Sequence, residues 1–145
     1  MLKTLLYVSE SRLRLPRDAP QVGDIVEVAR VRNAALCVTG ALVFTQASFA
    51  QILEGPATGV DELMVSIRRD PRHRKVTVLH EAQLAGGRRF PDWSMAYSGP
   101  SLYVERHIRP LLDAEAETPE ALAAAQRLLR LVEELTLHAP DDETR

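Results

Sequence analysis

An α+β sheet domain with the element order β-α-β-β-α-β-β, followed by two further helices, is the fold class this sequence predicts, and three observations predict it. Short apolar segments alternate with stretches of helical spacing. The clearest helical set is Val60, Leu63, Met64 and Ile67, at i, i+3, i+4 and i+7. Prolines and glycines fall between the segments rather than inside them. Across 145 residues, 46% are hydrophobic and 26% charged, which is enough apolar material for one core.

The first strand is read over Leu2 to Ser9, and SRLRLPRDAPQVGD after it reads as a charged, proline-bearing loop. From about Val22 to Ala35 the apolar positions Val22, Ile25, Val26, Ala29 and Val31 recur near helical spacing, and Asp24 and Glu27 suit an early turn. VTGALVFTQASFAQILEG then holds two apolar runs joined around Thr45 to Ser48, a hairpin that Gly55 and Pro56 end. A second helix runs from Pro56 to Arg69, with basic residues in its last turn and Asp70 and Pro71 as its stop. Lys75 to Gln83 reads as a strand, AGGRRFPD as a loop and Trp93 to Ser98 as the last strand. This order is ferredoxin-like, with two helices expected on one face of the sheet. Residues 1–98 form that unit, and residues 99–145 form a helical extension of it. The final helix begins with Thr118 as N-cap and Pro119 at its first position, and the tail from about Ala139 is expected to fray.

Composition excludes several function classes. A net charge of −2, from 18 basic and 20 acidic residues, gives no electrostatic footprint for nucleic acid or an anionic membrane. No apolar run nears the ~20 residues that span a bilayer. The lone Cys37 has no internal disulfide partner and, lying just before an apolar strand, is expected to be an inert buried thiol. With no signal-peptide pattern at the start, a cytoplasmic setting is expected. His73, His80, His107 and His138 lack metal-ligand spacing, so no metal site is predicted. No GxSxG, P-loop or GxGxxG motif occurs, and no catalytic role is expected.

The residues of interest emerge from strand parity. Leu5, Tyr7 and Ser9 share one face of the first strand, and Phe49, Gln51 and Leu53 share one face of another. Should helices cover that face, Gln51 is a buried amide whose groups each cost about 1–3 kcal/mol if left unpaired, and Tyr7 or a polar ligand is its partner. The other reading places Gln51 on an exposed edge and Tyr7 in an ordinary core with its hydroxyl at the rim. Trp93 and Met95, two apart, also share a face. Asn33 stands near a helix end, where it either caps that helix or binds something, and Asp70 and Arg72 either terminate the second helix or do likewise.

Taken together, YVS, RNAALCVTG, FAQILEG, DPRH and FPDWSM resemble the signature of the BLUF family, blue-light sensors using flavin, from about residue 2 to 97. The resemblance implies FAD held noncovalently between the two helices, with FMN or riboflavin as alternatives. It implies cofactor contacts from Tyr7, Ser9, Arg32, Asn33, Gln51, Asp70, Arg72 and His73, with Asn33 on the polar edge of the ring. It makes Tyr7 the electron and proton donor and Gln51 the relay, with Trp93 and Met95 sensing the change.

Output is then expected through residues 99–138, to a protein partner or a second copy of the chain. The final helix carries Leu122, Leu128, Leu129, Leu131, Val132 and Leu135, which either serve that contact or cover the sheet face of Leu6, Val8 and Ile52. Two features depart from the usual pattern, the charged loop from Ser11 to Gly23 and the single Asn33. The alternative function is a flavin-free ferredoxin-like interaction module.

Overall fold

The computed structural model describes residues 2–99, 101–112 and 118–138; the tail expected to fray from residue 139 lies outside them. In chain order the elements are β1 (Leu2–Ser11), α1 (Ala19–Ala35), β2 (Thr39–Phe44), β3 (Ser48–Pro56), α2 (Ala57–Arg69), β4 (His73–Gln83), β5 (Trp93–Ser98), α3 (Leu102–Ile108) and α4 (Pro119–His138). The strands form a 5-stranded sheet in the order β4-β1-β3-β2-β5. All neighbours are antiparallel except β2 and β5, which run parallel. This is the ferredoxin-like order with one extra strand at the β2 edge.

Boundaries differ from the sequence reading where capping chemistry outweighs periodicity. Helix α1 starts at Ala19 because Pro20 sits in its first turn, where a missing N–H does no harm and the fixed φ helps. Asp24 therefore lies in the second turn, not at the start. Strand β4 begins at His73, two residues before the expected Lys75. Cys37 is exposed rather than buried, since it adopts φ 58 in the tight turn between α1 and β2. Thr118 caps α4 as expected, its Oγ1 accepting from the Ala121 N–H at 3.1 Å.

The sheet has two covered faces. On one, Leu5, Tyr7 and Leu53 pack against Val60, Leu63 and Met64 of α2, while Leu42, Phe44 and Phe49 pack against Val22 and Ile25 of α1. On the other, Leu6, Val8, Ala41, Val43 and Ile52 form a core with Val104 and Ile108 of α3 and Ala125, Leu128, Leu131 and Val132 of α4. The final helix thus does cover the sheet. Leu129 and Leu135 are partly buried against the same core, and of its apolar set Leu122 stays 49% exposed.

One glycine is demanded by this packing. Gly40, at φ 151, pairs with Leu53 across β2 and β3, and a Cβ there would sit 1.9 Å from the Ile52 carbonyl oxygen. Only a residue without a side chain lets the two strands approach this closely.

Candidate flavin cleft

Register brings the central residues into line. Leu42 pairs with Gln51, Gln51 with Tyr7, and Leu42 with Met95, so Met95, Leu42, Gln51 and Tyr7 form one row across the sheet on the face that α1 and α2 cover. The two helices part above this row. Their separation leaves a cleft of about 420 Å³, counting its open mouth, lined by Tyr7, Gln51, Leu42 and Phe49 from the sheet, Ile25 and Ala29 from α1, and Ile67, Asp70, Arg72 and His73 from the end of α2 and the start of β4.

On the floor of the cleft, the Tyr7 hydroxyl donates to Gln51 Oε1 at 2.7 Å, with both residues buried. The ordinary-core and edge-strand reading of this pair is therefore wrong: Gln51 lies on a central strand and Tyr7 is its partner. Burial, and secondarily the negative charge of Asp70, push the phenol well above its usual range. Tyr7 thus stays a donor at any ordinary pH, which fixes the carbonyl end of the amide toward it. The amide nitrogen has no hydrogen-bond partner among the described residues. It offers two N–H donors at the wall of the cleft.

One end of the cleft is built by the turn after α2. Arg72 donates to Asp70 through Nε at 2.9 Å and Nη2 at 2.7 Å, and its backbone N–H donates to the same carboxylate at 2.9 Å. Burial disfavours the Asp70 anion, but these bonds and the Arg72 charge outweigh it and hold the carboxyl below its usual range. Asp70 in turn raises Arg72. His73 bridges the Ser9 hydroxyl, 2.7 Å from Nδ1, and the Ile67 carbonyl, beside Nε2. A carbonyl only accepts, so Nε2 carries the proton, and Ser9 donates to Nδ1 of the neutral ring. The ring stands edge-on to Tyr7, 6.4 Å between centroids, and to Phe49, 5.9 Å.

The remaining predicted residues are placed differently. Asn33 is buried at 2% exposure, but its carbonyl accepts from the Trp93 indole N–H at 2.8 Å and its nitrogen donates to the Ala29 carbonyl at 3.1 Å, in the amide orientation that satisfies both. It locks α1 to β5 and keeps one amide hydrogen for a ligand. Ser9, fully buried, acts on the cleft through His73 rather than by lining it. Arg32 does not reach the cleft; it is exposed on the outer side of α1 with Glu27, Val28 and Val31. Trp93 and Met95 pack beside Leu42 and Phe49, one strand farther from Gln51 than direct contact requires.

Sequence reasoning missed three polar residues that the fold recruits. Glu105 of α3 is 8% exposed and accepts from Thr45 Oγ1 at 2.6 Å and Ser48 Oγ at 3.1 Å, which ties the extension to the β2–β3 turn. Glu54 of β3 accepts from the Phe90 N–H at 2.9 Å through Oε1, while Oε2 is buried with no partner. Burial raises its carboxyl despite the donors around it. Asp24 of α1 reaches Arg72 Nη1 at 3.2 Å. No local pattern marks these pairs, whose members lie 36 to 60 residues apart.

Comparison with known proteins agrees with this geometry. A family model described as BLUF, sensors of blue light using FAD, matches residues 2–96. The photoactivated adenylate cyclase subunit beta of Euglena longa is 36% identical over 95 residues, which cover 65% of this chain and 11% of that protein. The chain thus spans about a tenth of that relative's length. Among solved structures, the dark state of the BLUF protein BlrB superposes with a TM-score of 0.66 at 30% identity, covering 90% of this chain and 96% of that one. The BlsA ground state gives 0.73 at 25% identity, covering 98% and 92%. Among the described residues no helix is long and apolar enough to cross a membrane.

Proposed function

This chain belongs to the BLUF family, sensors of blue light that use FAD, and on that footing we propose that it senses light through a flavin held in the cleft between α1 and α2. The observation that carries the proposal is the buried Tyr7–Gln51 pair, 2.7 Å from hydroxyl to carbonyl, beside a cleft that Gln51 lines and toward which its amide nitrogen is uncommitted. The residues fit the group. Ile25, Ala29 and Ile67 offer apolar flanks to a flat aromatic ring, Gln51 and Asn33 keep N–H donors for its carbonyl edge, and Arg72 stands at the rim for an anionic tail. FAD is the assignment, with FMN and riboflavin as the alternatives to be compared.

When bound, the flavin supplies blue-light absorption and an excited state that accepts an electron. Tyr7 is the donor. Its phenol is a weak acid made weaker by burial and by Asp70, but loss of an electron turns it into a strong one, so electron and proton leave together. The proton travels along the existing hydrogen bond to Gln51 Oε1, and Gln51 releases one from its nitrogen. After the electron and a proton return to Tyr7, the amide is left tautomerised or turned over, with a donor where an acceptor stood. His73, held by Ser9, and the Asp70–Arg72 pair keep the surroundings of the phenol fixed while this happens.

Output leaves by two routes that meet at the sheet. Leu42 and Met95 continue the row from Gln51 to β5, whose Trp93 is tied to Asn33. Residues 99–138 form the output extension of the sensor unit 1–98, and they present Leu102 and Tyr103 of α3, 77% and 64% exposed, with Leu122 to a protein partner or a second copy. The chain itself performs no turnover in this reading; its product is a changed set of contacts.

Absorption spectra of the purified protein in the dark and under blue light test the proposal. The expected result is a yellow protein with a flavin spectrum that shifts to the red when lit and recovers in the dark. A colourless chain that takes up no FAD on titration would instead support the flavin-free interaction module.

A further inference from the structure

The guanidinium of Arg72 is shared between two carboxylates of different standing. Asp70 holds Nε and Nη2 at 2.9 and 2.7 Å and is itself held by the Arg72 backbone N–H, two residues on. That pair is a product of one local turn and stays together. The outer nitrogen, Nη1, reaches instead to Asp24 Oδ2 at 3.2 Å, across 48 residues of chain and from the opposite wall of the cleft. Asp24 is 65% exposed, against 25% for Arg72 and 27% for Asp70. It makes one contact, at the long end of the range, in solvent, where ion pairs are weak and exchange readily.

Flavins differ in this chemistry and in little else near a cleft rim. Riboflavin ends in an uncharged sugar alcohol, FMN in a phosphate monoester and FAD in a diphosphate. A phosphate is the stronger partner for a planar fork of N–H donors. It has no open donor pair at Arg72 while Asp24 stays in place, and it is repelled by a second carboxylate beside the first.

We infer that Asp24 sets the selectivity of the cleft among flavins by competing with their phosphates for Nη1 of Arg72. The inference rests on the reading of the cleft as a flavin site. In the phosphate-free ligand Asp24 keeps its bond and strapping α1 to the α2–β4 turn continues; a phosphorylated ligand must displace it. Asp24 is a positioning and selectivity residue, and the cost it imposes falls on FMN and FAD alone.

The test is a titration of flavin-stripped full-length protein with riboflavin, FMN and FAD, read by quenching of flavin fluorescence. It is run on the unmodified chain, Asp24→Asn, Arg72→Ala and the double variant, at low and high salt. Asp24→Asn is expected to tighten FMN and FAD by roughly three- to tenfold and to leave riboflavin within about twofold, with the gain shrinking as salt rises. In the Arg72→Ala background the same substitution is expected to change nothing that depends on phosphate. An equal change for all three ligands, or a phosphate-dependent gain that persists without Arg72, overturns the inference while leaving the flavin site intact. Failure of all three to bind the unmodified chain removes the flavin reading itself, and the inference with it.

Discussion

The hydrogen bond from Tyr7 to Gln51 can be weighed without light or cofactor, by a double-mutant cycle on the flavin-free chain. Tyr7 is 3% and Gln51 5% exposed, so water does not readily replace a lost partner on the phenol side. Tyr7→Phe strands the Gln51 carbonyl, and Gln51→Leu strands the phenol; each is expected to cost about 1–3 kcal/mol, the penalty of an unpaired buried polar group. Replacing both by apolar groups removes the stranded atom in each case, so the double variant should be less damaged than the sum of the singles by about 1–2 kcal/mol. For a chain of this size each kcal/mol moves the melting temperature by roughly 3–4 °C, and urea unfolding resolves the differences directly. Additive single effects, within about 0.5 kcal/mol, would show that the pair is not bonded and would remove the proton path with it. With flavin bound, Tyr7→Phe and Gln51→Leu should both keep the dark spectrum and lose the red shift. A normal photocycle in Tyr7→Phe would refute the donor role.

Other expectations follow from single contacts. Glu54 has a carboxyl raised by burial, so the folded state holds its proton over a range where the unfolded chain, with a value near roughly 4.3, has released it. Stability from this group is present below that value and falls as pH rises through the raised one. Thermal melts from pH 4 to 8 should therefore show Glu54→Gln gaining on the unmodified chain as pH increases. Glu105→Ala strands the Thr45 and Ser48 hydroxyls and should cost about 2 kcal/mol in urea unfolding, with faster amide exchange across residues 101–112. Trp93→Phe removes the N–H that Asn33 accepts while keeping a ring in place; it should leave the size of the light-induced shift unchanged and alter the rate of dark recovery. Gly40→Ala drives a methyl into the Ile52 carbonyl and should yield little folded protein, seen as loss of a cooperative melt.

What the sequence disclosed and what it withheld divide along a physical line. The strand faces of β1 and β3 were legible because parity is strict: Leu5, Tyr7 and Ser9 on one side force Leu6 and Val8 to the other. Helix α2 was legible because its apolar stripe is strong. Helix α1 was not, because it buries only Asn33 fully and carries apolar residues such as Val28 and Val31 on its outer side, so its start was set by Pro20 rather than by period. Strand β4 hid its first turn behind register shifts against β1, where alternation breaks. The polar pairs Glu105 with Thr45, Glu54 with Phe90 and Asp24 with Arg72 depend on how distant segments dock. No period or motif in one stretch encodes a partner in another.

The arrangement of the sheet gives the amide at Gln51 leverage out of proportion to its energy. A hydrogen bond exchanged there is worth about 1–2 kcal/mol, too little to unfold any element. Yet Gln51 lies between Ala50 and Ile52, which are 0% and 1% exposed and belong to the core beneath α3 and α4. The chain cannot move the side chain's backbone on one face without moving its neighbours on the other, and a core packed to crystal density answers by shifting as a unit rather than by yielding locally. β3 also ends in the turn that Glu105 grips from α3. The signal therefore has a short mechanical path, one strand thick, from cleft to extension. A Glu105→Gln variant separates this path from the route through β5. With flavin bound it should keep its spectral shift and its Trp93-dependent recovery, while the light-induced change in amide exchange of residues 101–112 falls. If that change persists undiminished, the turn carries no signal and β5 carries it all.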